Sequence, residues 1–225
     1  MNYLYDAVDY ILTAANWSGS LGIGRLLIQH IGYSLLGVAI AAVIGVPLGW
    51  WIGHSGQGRG FAVTLSGAVR ALPTLGLVTL FGLALGVGLT APMLAFVVLA
   101  LPSVLAGAYA GVEAADPTAV DGARAAGMTE PQVLMRVEVP LGAPLLVGGL
   151  RSATLQVIAT ATLAAYTGAG GLGRLMFLGL KTQEYAMMLA SSLLVIALAL
   201  LSEIIFSLLQ RAVTPVGART RKEPQ

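Results

Sequence analysis

DGARAAGMTEPQVLMRVEVP, residues 121–140, is the stretch whose reading decides the fold. It is polar, carries Arg124 and Arg136, and can form helix, yet long apolar runs flank it. Just upstream, Asp116-Pro117 has the form of a helix start, with Asp as N-cap and Pro at the first helical position. That helix is expected to run to about Ala126 and stop at Gly127, a natural left-handed residue beyond a helix C-terminus. Thr129 and Gln132 have capping-box spacing and start a second helix. Pro140 is expected to end it and open the next apolar run. The result is two short helices about a glycine turn, lying under a membrane. The small residues Gly122, Ala123, Ala125 and Ala126 let another surface come close to the first helix. The alternative reading is an ordinary polar connection between two spans.

The membrane follows from composition. The chain has 225 residues, 57% hydrophobic and 10% charged, with a mean hydropathy of +0.86. Soluble domains carry roughly 25% charged residues. The length suits one domain. A net charge of +2 does not point to nucleic acid. The absence of cysteine excludes disulfides, thiolate metal sites and a cysteine nucleophile. His30 and His54 stand alone in the sequence, so no metal site is expected. The first sixteen residues hold acidic side chains and no basic ones, unlike a cleavable signal peptide.

A spanning helix needs about 20 mostly apolar residues. Residues 31–52 form the first clear candidate, with Trp50 and Trp51 placed for an interfacial belt. Residues 61–88 are apolar but interrupted by Arg70 and Pro73, and read as a broken span whose break faces protein or water. Residues 91–110, with Pro102, make another span. Residues 141–165, with Arg151 and Gln156, make a fourth. Residues 167–185 are too glycine-rich and polar for a simple span, and 186–209, containing Glu203, are the last. The fold class expected is thus an all-α polytopic membrane protein of about five core transmembrane helices. Residues 1–29 read as an N-terminal surface segment, 30–210 as the transmembrane domain with its loop at 113–140, and 211–225 as a tail. Basic residues favour the cytoplasmic side. Arg211, Arg219, Arg221 and Lys222 then place the C-terminus inside, together with Arg59 and the 121–140 loop. Arg25, Arg174 and Lys181 fall outside, and five spans put the N-terminus outside.

The loop is similar to the cytoplasmic coupling loop of bacterial ABC-importer permeases. That pattern is Glu-Ala-Ala, three residues, Gly, nine residues, Ile, one residue, Leu-Pro. Here the corresponding positions are Asp121, Gly122 and Ala123, then Gly127, then Val137, Val139 and Pro140, with Arg124 inside the first helix. The departures are Asp for Glu, Gly for Ala, and Val for both Ile and Leu. The wider chain, roughly residues 30–210, resembles type I importer permeases of the branch that takes up quaternary-ammonium osmoprotectants: glycine betaine, choline, carnitine and proline betaine. RALPTLGLV (70–78), ADPTAVDGARAAGM (115–128) and ATATLAAYTGAGGLGRLMFLGL (159–180) carry that narrower likeness.

The resemblance implies partners and a mechanism. They are two ABC ATPase subunits beneath the loop, a second permease chain (itself or a paralogue), an extracellular substrate-binding protein and the bilayer of the bacterial inner membrane. ATP and Mg would sit on the partner ATPase, and no cofactor on this chain. The sequence contains no GxxxxGK[ST] phosphate cradle, which agrees with a chain that is not itself the enzyme. A permease for methionine or another small solute is the runner-up, and an autonomous channel the third reading.

A translocation path is expected among Pro73, Thr154, Gln156, Thr160, Tyr166, Gly170, Gly171 and Gly173. Hydroxyls and an amide could line a polar route, against the alternative of interhelical hydrogen bonds. The glycines could form an irregular gate, against the alternative of a plain loop. Tyr166, Phe177, Tyr185 and Trp51 could meet a cation through their ring faces or anchor at the interface. Arg70, Arg151 and Glu203 are ionisable groups in or near apolar segments, which often mark function.

Overall fold

The computed structural model describes residues 2–214; positions 215–225, and with them Arg219, Arg221 and Lys222 of the tail, lie outside the described residues. Helix α1 spans Tyr3–Leu12 and α2 spans Ile23–Ser55. After a short turn come α3, Arg59–Arg70, and α4, Thr74–Leu85. Helix α5 is Thr90–Glu113, α6 is Pro117–Ala125 and α7 is Glu130–Val133. A π-helical turn, Leu134–Glu138, leads into α8, Val139–Thr160. A 3-10 segment, Ala161–Thr167, precedes α9, Gly173–Thr182, and α10, Tyr185–Val213. No strand occurs among the described residues. Four helices there are long and apolar enough to cross a membrane, and a fifth span arises if α3 and α4, broken at Pro73, count as one. The all-helical multi-span architecture is therefore as expected.

Two boundaries differ from the expectation. The first long helix begins at Ile23, not Ile31, because Ile23 and Leu26 supply a buried apolar face that extends it past the polar Gln29 and His30. Pro140 does not end a helix. The π-turn shifts the bonding pattern, so that the Val139 N–H reaches the Leu134 carbonyl five residues back. A proline, with no N–H to offer, is thereby carried inside one continuous helical path.

The chain divides into two units. Unit 1 contains the residues up to Ile40, Ala71–Ala100 and Thr154–Ser202; unit 2 contains Ala41–Arg70, Leu101–Ala153 and the described residues from Glu203. In unit 1, Ile23, Leu26, Leu172 and Leu175 form a buried cluster flanked by Tyr10, Leu27, Met187, Leu194 and Val195. Ser191 Oγ donates to the Leu172 carbonyl at 2.6 Å. His30 is fully buried, its Nε2 lying 2.9 Å from the Ile158 carbonyl, which fixes Nε2 as the protonated nitrogen.

Unit 2 is held by glycine contacts. Gly45, Gly49 and Gly53 recur every four residues along α2 and meet α5: a Cβ on Gly49 would lie 2.6 Å from the Ala108 Cβ, and one on Gly53 2.8 Å from the Tyr109 carbonyl oxygen. Gly107 and Gly111 make the same spacing on α5 and face Gly149 and Gly142 of α8. Between lipid-facing helices there is no water to expel, so association rests on close van der Waals contact, which small residues permit.

Candidate functional site

The loop from Asp116 to Glu138 is built from local signals. Asp116 Oδ1 accepts the Thr118 N–H at 2.9 Å and Pro117 sits in the first turn, which starts α6. Gly127 has φ +84°, and the Met128 N–H returns to the Ala123 carbonyl at 3.1 Å, closing the helix end. Gln132 Oε1 then accepts the Thr129 N–H at 2.9 Å, starting α7. Ala115, Val120 and Val133 form a small core of their own, with Ala123, Met128 and Val137 packed against it. The loop is thus a folded piece and not a tether.

This core sorts the residues that the sequence singled out. Ala123 and Val137 face inward. Asp121, Gly122 and Ala125 are exposed on α6 and Ala126 is exposed at its C-cap, and a Cβ on Gly122 would meet nothing within 4 Å. Val139 opens α8, and Pro140 is exposed in its first turn. Arg124 donates from Nε and Nη2 to the two carboxylate oxygens of Glu130 at 3.0 Å each, and lies 3.6 Å from Asp121. The Glu130 hydrogen bonds raise the Arg124 guanidinium above its ordinary pKa.

His54 is not isolated, as its sequence position suggested. Its Nδ1 lies 2.6 Å from Glu138 Oε2 and its Nε2 lies 3.2 Å from Glu130 Oε2. Eighty-four residues separate His54 from Glu138, and no sequence spacing announces the contact. Arg59, at the start of α3, pairs with Glu113 at 2.6 Å and sits over the Tyr109 ring. Arg70 donates to Ser103 Oγ at 3.4 Å beside a cavity of about 300 Å³.

All the candidate path residues fall in unit 1, and all the loop residues in unit 2. Pro73 is the exposed residue before α4. Thr154 and Thr160 are buried and Gln156 is half-buried; the Thr160 hydroxyl donates to the Gln156 carbonyl at 2.8 Å. Gly170 and Gly171 have positive φ and are buried, with the Gly171 N–H donated to Gln29 Oε1 at 3.2 Å. Tyr33 donates to the Ala169 carbonyl at 2.9 Å. Gly173 is pressed against the Thr162 carbonyl, so no side chain fits there. The glycine-rich segment is consequently packed backbone in unit 1, and not a free loop. Tyr166 is 58% exposed, its ring 6.4 Å from Phe177. It borders a cavity of about 170 Å³ with Thr79, Gly82, Leu83, Gly86, Val87 and Thr167. No group of three or more metal-binding side chains occurs among the described residues.

Residues 45–215 match the family described as binding-protein-dependent transport system inner membrane component. The chain is 31% identical over 222 residues to the osmoprotectant import permease protein OsmW of Salmonella typhimurium, covering 95% of this chain and all of that one. It is 29% identical over 195 residues to the choline transport system permease protein OpuBB of Bacillus subtilis, covering 87% and 90%. In fold it is similar to a chain of the inward-facing MetNI methionine ABC transporter, with a TM-score of 0.71 at 21% identity, covering 86% of this chain and 96% of that one.

Proposed function

The chain belongs to the family of inner-membrane components of binding-protein-dependent transport systems, and from that premise we propose that it is the permease through which quaternary-ammonium osmoprotectants enter the cell. The observation that carries this reading is the agreement among relatives: those reported above serve choline and osmoprotectant import, and they align over nearly their full length. The fold likeness to a methionine transporter does not select a substrate, because it concerns backbone architecture alone.

Transport through such a permease draws on ATP hydrolysis elsewhere, and the chain itself catalyses no reaction. Two ATPase subunits dock beneath the exposed Asp121, Gly122, Ala125 and Ala126 face of α6. A second permease chain completes the pore, and an extracellular binding protein delivers the solute. The loop and C-terminus are cytoplasmic and the N-terminus lies outside.

Three features support force transmission. The loop has its own apolar core, so a push on α6 moves it as a body. The Arg124–Glu130 pair fastens α6 to α7. The helical path then runs from Glu130 without interruption through the π-turn and α8, to the part of α8 that carries Thr154, Gln156 and Thr160. The loop is thus joined to these residues by helical backbone and not by flexible chain, with the π-turn, Pro140 and Pro144 as the places where that helix can bend.

The test is uptake of labelled glycine betaine and choline by vesicles containing the permease, its ATPase and its binding protein. Uptake that disappears when the ATPase is inactivated supports the proposal. Absence of uptake of both solutes by an assembled complex would overturn the substrate assignment.

A further inference from the structure

Arg70 is the last residue of α3, just before the break in the α3–α4 span. Its Nη2 donates to Ser103 Oγ at 3.4 Å, which is long for a bond from a charged donor. Ser103 is buried near the middle of α5, Thr90–Glu113. At about 1.5 Å per residue it lies about 15–20 Å from either end of that helix. The guanidinium is therefore held well inside a span, where a lone charge is costly. The other arginines on the α3, α6 and α8 helices of unit 2 meet carboxylates: Arg59 meets Glu113, Arg124 meets Glu130 and Arg151 meets Glu203. Arg70 forms no such ion pair among the described residues. Ser103, a neutral group, takes one of its five N–H donors.

Arg70 also borders a cavity of about 300 Å³ between α3 and α5, a volume at the lower end of those that hold small ligands. Ala62, Val63, Leu105 and Ala106 supply aliphatic wall, Ser66 supplies a hydroxyl, and no Asp or Glu lines the space. Arg59, the other cation of α3, is engaged by Glu113 and by the Tyr109 ring. The cavity thus offers one fork of charged donors and, around it, surface suited to methyl groups. An arginine fork matches a carboxylate through two parallel hydrogen bonds. A phospholipid phosphate is a poorer match, because headgroups lie at the bilayer surface and not at the middle of a span.

We propose that Arg70 binds the carboxylate of zwitterionic betaines, with the methylated end of the solute against the aliphatic wall. The inference deepens the osmoprotectant reading given above and rests on it. A betaine has a quaternary nitrogen without an N–H and a carboxylate, so its carboxylate is the group that accepts hydrogen bonds. Choline has the same nitrogen, a hydroxyl in place of the carboxylate, and a net positive charge. Arg70 attracts the first kind of solute and repels the second. It is therefore a specificity-determining residue that favours glycine betaine, carnitine and proline betaine over choline. The site belongs to unit 2 and uses none of the candidate path residues.

The test is uptake of labelled glycine betaine and choline, below saturation, by the complete transporter in lipid vesicles. The binding protein is the same in every vesicle, so a changed ratio arises in the permease. Arg70→Gln keeps N–H donors without the charge and should lower the ratio of glycine betaine to choline uptake roughly tenfold or more, as expected for loss of a charged hydrogen bond. Arg70→Lys keeps the charge without the fork and should fall between. A second measurement leaves Arg70 in place. The chain has no cysteine, so Ala106→Cys, exposed on the cavity wall, gives a single thiol. Glycine betaine should slow its labelling by a water-soluble maleimide, and choline at the same concentration should not. Equal loss of both solutes in Arg70→Gln, as a purely structural arginine or one holding a lipid phosphate would give, overturns the site, and so does equal protection of the thiol. Uptake of both solutes with an unchanged ratio in Arg70→Gln removes the site and leaves the osmoprotectant reading. Uptake of neither by the unaltered complex removes that reading and the site with it.

Discussion

Arg151 of α8 donates from Nε to Glu203 Oε2 of α10 at 2.6 Å, and its Nη2 pairs with the other carboxylate oxygen. Each residue alone is an ionisable group within an apolar helix, which is expensive in hydrocarbon. Together they form a two-bond pair between two spans. Glu203→Gln should destabilise the protein by about 1–3 kcal/mol, the usual range for a charged group left without its partner. Arg151→Leu combined with Glu203→Leu should recover part of that loss, because a pair replaced by apolar groups leaves nothing unsatisfied. Thermal unfolding of Glu203→Gln, of Arg151→Leu and Glu203→Leu singly, and of the double variant in one lipid mixture decides this. Strictly additive losses would mean that the pair does not act as a unit.

Gly111 and Gly142 bring α5 and α8 into backbone contact. A Cβ on Gly111 would lie 2.6 Å from the Gly142 carbonyl oxygen, an atom that cannot swing aside. Gly111→Val should therefore force the helices apart and destabilise by about 1–3 kcal/mol, as overpacking does. Gly67, whose Cβ position is open, provides the control: Gly67→Ala should leave unfolding nearly unchanged. Equal effects at the two positions would contradict the close packing.

The two glycines of α6 and its end should behave oppositely. Gly127, at φ +84°, is in a region where a side chain costs about 1–2 kcal/mol, so Gly127→Val should loosen the loop and lower stability. Gly122 is mid-helix, with open space around it. Gly122→Leu should leave the fold intact or strengthen α6. It should nevertheless lose uptake, because a large side chain would project from the face proposed to receive the ATPase. The paired measurements are thermal unfolding and uptake on the same preparations; a Gly122→Leu protein that transports normally contradicts the coupling role.

What was legible in the sequence was whatever local chemistry controls. Asp116-Pro117, Gly127 and the Thr129–Gln132 spacing announced the loop helices because caps act within a few residues. The spans were legible because about 20 apolar residues have few other uses. Pro140 misled because a proline stop presumes i→i−4 bonding, and the π-turn before it suspends that pattern. The Gly45, Gly49, Gly53 and Gly107, Gly111 spacings were present in the sequence, and they identify the contact faces of α2 and α5 once helix packing by small residues is considered. The His54–Glu138 and Arg151–Glu203 contacts were not legible, since their partners come together only when separate helices pack.

The central claim is that the exposed face of α6 receives an ATPase. The sequence contains no cysteine, so a single introduced thiol reports unambiguously. Ala125→Cys lies on the exposed face of α6, and Arg174→Cys lies on the exposed side of α9 in the other unit. The decisive measurement is thiol cross-linking of each variant within the assembled, transport-competent complex. The account predicts that Ala125→Cys joins the ATPase subunit in a manner altered by ATP, and that Arg174→Cys does not. Cross-linking to the ATPase from Arg174→Cys, with none from Ala125→Cys, would contradict it.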